Sequence, residues 1–172
     1  MKVIFLDIDG VLNVMHSERD EYGAIFHSNF VENLGRIIDE TGAKIVISSS
    51  WRHSGLQRML DMWKFRNLPG EVIGITPDLW RQVEGEDFHE RMQRGHEIQV
   101  VLDLKPEITN YVILDDDEDM LPNQLGNFVC CANNINHPDC IDIGYGLTNE
   151  CTNRAIRILN GKDKLEFPML DI

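Results

Sequence analysis

The sequence lacks an apolar run long enough for a membrane-spanning helix, which needs about 20 residues. Its first segment, MKVIFLDIDG, runs into acidic residues where a signal peptide would carry its apolar core and cleavage site. A soluble, cytoplasmic protein with no membrane partner is the expectation. The four cysteines, Cys130, Cys131, Cys140 and Cys151, form no CxxC pair, so neither a disulfide framework nor a zinc ribbon is signalled and the thiols are read as reduced. Cys131, His137 and Cys140 are a conceivable metal set, but structural cysteines are the better reading. Positive charge is scarce as well. Sixteen Lys and Arg stand against 29 Asp and Glu, a formal net charge of -13. That balance repels phosphate backbones and anionic membranes, so no extended nucleic-acid-binding surface is expected. Internal repeats and low-complexity segments are absent from the sequence too.

What is present is ordinary globular composition, 42% hydrophobic and 26% charged over 172 residues, which argues against a disordered or coiled-coil chain. The length suits one domain spanning 1–172. Lys2 to Leu6, Lys44 to Ile47, Val72 to Ile75, Tyr111 to Leu114 and Phe128 to Cys131 are short apolar runs that read as buried strands. Helical spacing links Phe30, Val31, Leu34, Ile37 and Ile38, with Ser28 as the cap and Thr41-Gly42 as the stop. Leu56, Met59, Leu60 and Trp63 suggest a second helix and Glu97 to Leu104 a third, ended by Pro106. Thr148 caps a fourth, with Ala155, Ile156 and Leu159 inward and Gly161 beyond it. This alternation predicts an α/β fold, a doubly wound, Rossmann-like parallel sheet. Residues 51–95, charged from Gly85 to Gly95, read as a small lid or an elaborated crossover, and Asn13 to His27 is polar and irregular.

In such a sheet the ligand site lies outside the carboxyl ends of the strands. Three predicted strands end there in Asp7-Ile8-Asp9, in Ser48-Ser49-Ser50 and in Asp115-Asp116-Asp117. A lone DxD is more often a solvated turn, and a serine triplet says little by itself. Their shared position at apolar strand ends is what carries the reading. Carboxylates gathered there repel one another unless a cation sits among them, and an all-oxygen set suits Mg2+. A hydroxyl and a cationic side chain beside them could hold a phosphate.

At these residues the chain resembles the haloacid dehalogenase (HAD) superfamily. Phe5-Leu6-Asp7-Ile8-Asp9-Gly10-Val11-Leu12 is similar to its first signature, apolar residues followed by DxDG. Ile45-Val46-Ile47-Ser48-Ser49-Ser50 is similar to the second, and Tyr111 to Asp119 to the fourth. More narrowly, Ser49-Ser50-Trp51-Arg52, Arg94-Gly95-His96-Glu97-Ile98 and Leu114-Asp115-Asp116-Asp117 resemble the small HAD domains of RNA-repair proteins and phage-type phosphatases.

The resemblance implies a HAD core with a minimal cap and a phosphatase mechanism. Asp7 would be the nucleophile that forms an aspartyl-phosphate, and Asp9 the general acid and base. Mg2+ would be held by Asp7, the backbone carbonyl of Asp9 and Asp116, with Asp115 behind them and Asp119 as an alternative outer ligand. The phosphate-binding hydroxyl is Ser48 by strand phase, or Ser49 if Trp51-Arg52 sets the alignment. Arg94 fits the cationic position, with Lys105 as runner-up. Arg52 would add a second phosphate contact, or lie as a surface arginine on Trp51. The implied activity is a Mg2+-dependent phosphomonoesterase acting on a nucleotide or a polynucleotide phosphate end. A small phosphorylated metabolite, hydrolysed or used for phosphoryl transfer, is the alternative substrate, and a non-catalytic metal-binding partner domain the alternative role.

Other prominent residues read as structure. Trp51, Trp63 and Trp80 are not interleaved with basic residues, so they read as packing and not as base-stacking platforms. No catalytic role falls to His53, His89 or His96, because Asp9 already supplies an acid and base. Asn133, Asn134, Asn136 and His137 form a polar loop that could border the site.

Overall fold

The computed structural model describes residues 1–13, 17–79, 93–132 and 146–162. In chain order these form β1 (Lys2–Leu6), the short pair β2 (Arg19–Asp20) and β3 (Gly23–Ala24), α1 (Ser28–Thr41), β4 (Lys44–Ile47), α2 (Leu56–Phe65), β5 (Val72–Ile75), α3 (Arg94–Leu104), β6 (Asn110–Asp115), β7 (Phe128–Cys130) and α4 (Asn149–Leu159). Tight 310 turns occupy Ser50–Ser54 and Pro122–Asn127.

Five strands build one parallel sheet in the order β5-β4-β1-β6-β7. Their apolar runs are explained by burial on both faces, the usual condition of a parallel sheet. Ile4, Leu6, Ile45, Ile47 and Leu114 point into the larger core, which α1, α2 and α4 cover with residues such as Leu34, Met62 and Leu159. Val3, Phe5, Val46 and Ile113 point the other way, onto Ile98 and Val101 of α3. The sheet is therefore doubly wound as the alternation predicts. The chain runs outward from β1 through β4 to β5, then crosses to β6 and β7 on the other side of β1, and this reversal puts a crevice at the carboxyl end of β1.

Several boundaries differ from the sequence reading. Ser28 is the first residue of α1 and His27 holds the cap position in extended backbone, with no side chain accepting there. Gly42 closes that helix in the left-handed region, φ +66°, as the Thr41-Gly42 stop predicts. Thr148 caps α4 through its hydroxyl, which accepts from the Cys151 amide at 3.2 Å. Helix α3 starts three residues before Glu97, at Arg94, where the Asp119 carboxylate accepts from the Arg94 amide at 2.9 Å and His96 Nδ1 accepts from the Gln93 amide at 3.2 Å.

The β2–β3 hairpin gives no periodic signal, since each strand has two residues. It is held by Arg58 of α2 and by Arg66 just beyond that helix instead. Arg66 grips both oxygens of Asp20 at 2.9 and 2.6 Å, and Arg58 donates to the Glu21 carbonyl at 2.7 Å while stacking 4.6 Å from the Tyr22 ring. Of residues 51–95, those from 51 to 79 form a 310 turn, α2 and the edge strand β5. Trp80, His89, Asn133, Asn134, Asn136, His137 and Cys140 lie outside the described residues. Cys130, Cys131 and Cys151 are buried and unbridged. Among the described residues no helix is long and apolar enough to cross a membrane.

Candidate active site

Leu6 pairs with Ile47 on one side and Leu114 on the other, so the residues after them leave the sheet side by side. The Asp7 amide donates to the Leu114 carbonyl and the Ser48 amide to the Leu6 carbonyl, both at 2.9 Å. Beyond Asp7 the chain closes at once into a single helical turn, in which the Ile8 carbonyl accepts from the Val11, Leu12 and Asn13 amides. Gly10 sits in that turn at φ +75°, where a side chain is strained. A Cβ there would also lie 2.1 Å from Asp116 Oδ2. The glycine of the DxDG run thus permits the turn and vacates the volume that Asp116 occupies.

Asp7, Asp115 and Asp116 each present a carboxylate oxygen within 4.8 Å of the others. Burial raises the Asp7 carboxyl above its ordinary range, against the opposing pull of Arg94 and the Ser49 hydroxyl. Asp115 is fully buried and pushed up further by desolvation. Asp116 is pushed up to about 6, first by burial and then by repulsion from Asp7. Acids crowded out of water in this way are stabilised by positive charge.

Arg94 supplies one such charge. Its Nη1 donates to Asp7 Oδ1 at 2.9 Å and to the Ser48 carbonyl, and its Nε lies 3.0 Å from Asp115 Oδ2 as an ion pair. Asp119, which also accepts from the Gly95 amide through its carbonyl, is committed to the start of α3. Gly95 allows that helix end to pack closely, since a Cβ there would lie 2.5 Å from the Leu121 nitrogen. Lys105 lies at the opposite end of α3, 3.8 Å from Glu107, and does not join this set.

Asp9 is brought to the same edge but its side chain lies outside the carboxylate cluster. It is exposed, and its two oxygens accept separate N–H donors, Asn13 Nδ2 at 2.8 Å and Trp51 Nε1 at 2.9 Å. Sequence reasoning missed both partners. Asn13 is four residues from Asp9, a readable spacing once the turn is known. Trp51 packs against Phe26 as expected, but nothing local forecasts that its indole N–H reaches a carboxylate 42 residues away. Trp63 is a packing residue, with its N–H on the Pro69 carbonyl.

The serines divide as well. The Ser49 hydroxyl accepts from the Trp51 amide at 3.4 Å and draws the Asp7 carboxyl down, whereas Ser48 Oγ is buried with no partner among the described residues. Arg52, expected at the phosphate or on the surface, is buried and turned elsewhere. Its Nη2 donates to Glu97 Oε2 at 2.6 Å and its Nη1 to the Ser49 and Ser48 carbonyls at 2.9 and 3.4 Å. The reason is Glu97, also buried, which accepts from the Leu79 amide at 3.1 Å and would be an uncompensated charge without the guanidinium. An acid on a short helix reads as a solvated face, so the sequence concealed this pair. His53 lies 3.2 Å from Asp78, and His96 Nδ1 accepts from the Gln93 amide.

The three carboxylates form an all-oxygen donor set left short of positive charge, which fits a hard divalent cation such as Mg2+. Comparison with curated proteins and with solved structures gives no match to either. A family model described as the HAD domain in Swiss Army Knife RNA repair proteins matches residues 3–135. That stretch carries nearly all of the sheet and every residue of the carboxylate and arginine cluster, and the chain belongs to this HAD family.

Proposed function

We propose that the protein is a Mg2+-dependent phosphomonoesterase working through an aspartyl-phosphate, with a nucleotide or an RNA phosphate end as substrate. The observation that carries this reading is the division between two neighbouring aspartates. Asp7 is buried beside Asp115, Asp116 and Arg94, while Asp9 stands exposed with donors of its own. The family's association with RNA repair supports the substrate class. With an acidic chain of net charge -13, affinity would come from the phosphate itself and not from a basic track along a strand.

Asp7, Asp116 and the Asp9 backbone carbonyl would hold Mg2+, with Asp115 supporting them from behind. When bound, the cation neutralises charge between carboxylate and phosphate. An Asp7 oxygen attacks phosphorus and the bond from phosphorus to the leaving oxygen breaks. Asp9 gives its proton to that oxygen. Asp9, now ionised, takes a proton from water, whose oxygen attacks the phosphorus of the aspartyl-phosphate, releasing inorganic phosphate and restoring Asp7. Ser49 and Arg94 orient the phosphate oxygens through this sequence.

The test is hydrolysis of p-nitrophenyl phosphate with and without Mg2+, followed by 3'- and 5'-phosphorylated oligonucleotides, nucleotides and small phosphorylated metabolites. Mg2+-dependent turnover that Asp7→Asn abolishes is the expected result. No turnover by the wild type, or full turnover by Asp7→Asn, overturns the proposal. Preference for a small metabolite would keep the chemistry and change the substrate.

A further inference from the structure

We infer that Trp51 is a positioning residue for Asp9, its indole N–H fixing the carboxylate that exchanges protons with the leaving group, an inference that rests on the phosphatase reading above. An exposed aspartate side chain ordinarily rotates freely in water. Here both oxygens are claimed by N–H donors from different segments, Asn13 and Trp51. Neither N–H gives up its own proton in neutral solution, so each fixes the orientation of the carboxylate and leaves the proton exchange to Asp9.

The indole is itself held from several sides. Its ring packs 5.8 Å from the Phe26 ring, and the Arg66 guanidinium, which also binds Asp20 of the hairpin, lies 5.8 Å from the indole. Gly23 gives it room, because a Cβ there would approach Trp51 Cη2 to 2.9 Å. The small hairpin therefore acts through Trp51 on Asp9. Trp63 makes the contrast. Its N–H goes to a backbone carbonyl beneath the same core, with no ionisable partner. A general acid must lie within hydrogen-bond reach of the oxygen it protonates, and a misplacement of about 1 Å can cost on the order of a hundredfold in rate.

The test compares substrates that differ in their need for a proton. An alkyl phosphate such as a nucleoside monophosphate needs its leaving oxygen protonated, whereas 2,4-dinitrophenyl phosphate does not. Because kcat/KM covers steps only through departure of the leaving group, it isolates the acid role. Trp51→Phe, which keeps a packing ring and removes the N–H, is expected to raise the ratio of kcat/KM for the dinitrophenyl ester over the alkyl ester by about tenfold or more. Equal losses on both substrates, or none, overturn the inference. The bond has its own readout in the indole 1H–15N spectrum of the wild type. Asp9→Ala should shift the Trp51 indole signal and hasten its exchange with solvent while leaving the Trp63 signal in place, and an unmoved Trp51 signal overturns the inference whatever the activity. Wild-type protein inactive on both esters overturns the phosphatase reading and the positioning role with it.

Discussion

Asp7 and Asp9 are two residues apart, yet Asp7 is 4% exposed among Asp115, Asp116 and Arg94, while Asp9 faces water between the neutral donors of Asn13 and Trp51. On the inner side, acids are taken out of water with too little positive charge to match them, which a cation would relieve. On the outer side, an acid keeps its access to solvent and is held by groups that carry no net charge. The same residue type is suited to two tasks by its surroundings, and the one helical turn at Gly10 separates them.

Altering Asp9 and Asp116 in turn tests whether the two sides are separate. Asp9→Asn is expected to cost about 100- to 10,000-fold in turnover of an alkyl phosphate, yet to leave Mg2+ affinity, measured by calorimetric titration, within about twofold of wild type because its backbone carbonyl remains. Asp116→Asn should reduce Mg2+ affinity by about tenfold or more. If both variants bind Mg2+ alike, the inner and outer sides are not distinct.

Arg94 and Arg52 divide in the same way, the first half-buried and the second buried. Arg94 faces the carboxylate cluster, whereas Arg52 braces Glu97 and the Ser48 and Ser49 carbonyls. Arg52→Ala should therefore destabilise the fold by about 3–5 kcal/mol in a denaturant titration, because Glu97 is left buried and unpaired. A loss below about 1 kcal/mol would show that Glu97 reaches water or takes up a proton.

Smaller effects probe the inner side alone. Gly10→Ala combines a positive φ with a clash on Asp116, so it should cost roughly 1–3 kcal/mol of stability and weaken Mg2+ binding together. The smallest expected effect is on pH dependence. Burial first, and then Asp7, push Asp116 up to about 6 from an ordinary 3.8. The folded state then binds more protons than the unfolded chain between those values, so this contribution to stability is fully present below 3.8 and lost as pH rises through 6. The metal-free protein should accordingly gain a few degrees in Tm between pH 7 and pH 5. Saturating Mg2+ should remove the gain, since the metal holds the carboxylate ionised.

Much of this arrangement was legible in the sequence. The five strands were readable because burial on both faces leaves continuous apolar runs, and the strand ends named Asp7, Ser48, Ser49, Asp115 and Asp116 as neighbours because parallel register carries equivalent positions to one edge. Arg94 could be anticipated from its place at the head of a helix leading to β6. What stayed hidden depends on contacts between distant segments. The Arg52–Glu97 pair, the indole bond to Asp9 and the Asp119 cap on α3 leave no periodic trace. The hairpin was equally silent, its two short strands being held by Arg58 of α2 and by Arg66 just beyond that helix, not by a pattern of their own.

The register of β1 also bears on how the chain folds. This first strand stays unfinished until two remote segments arrive, Lys44–Ile47 on one edge and Asn110–Leu114 on the other. Pairings so distant in sequence close large loops before they return any binding energy, which makes folding slow. Until then Lys2–Leu6 is an apolar strand with open edges, the kind of segment that pairs with strangers. Asp7 and Asp9 flank it with charge, and charge beside an exposed strand is what discourages aggregation. The carboxylates proposed for phosphoryl chemistry in the finished molecule thus guard the same strand while it is being made.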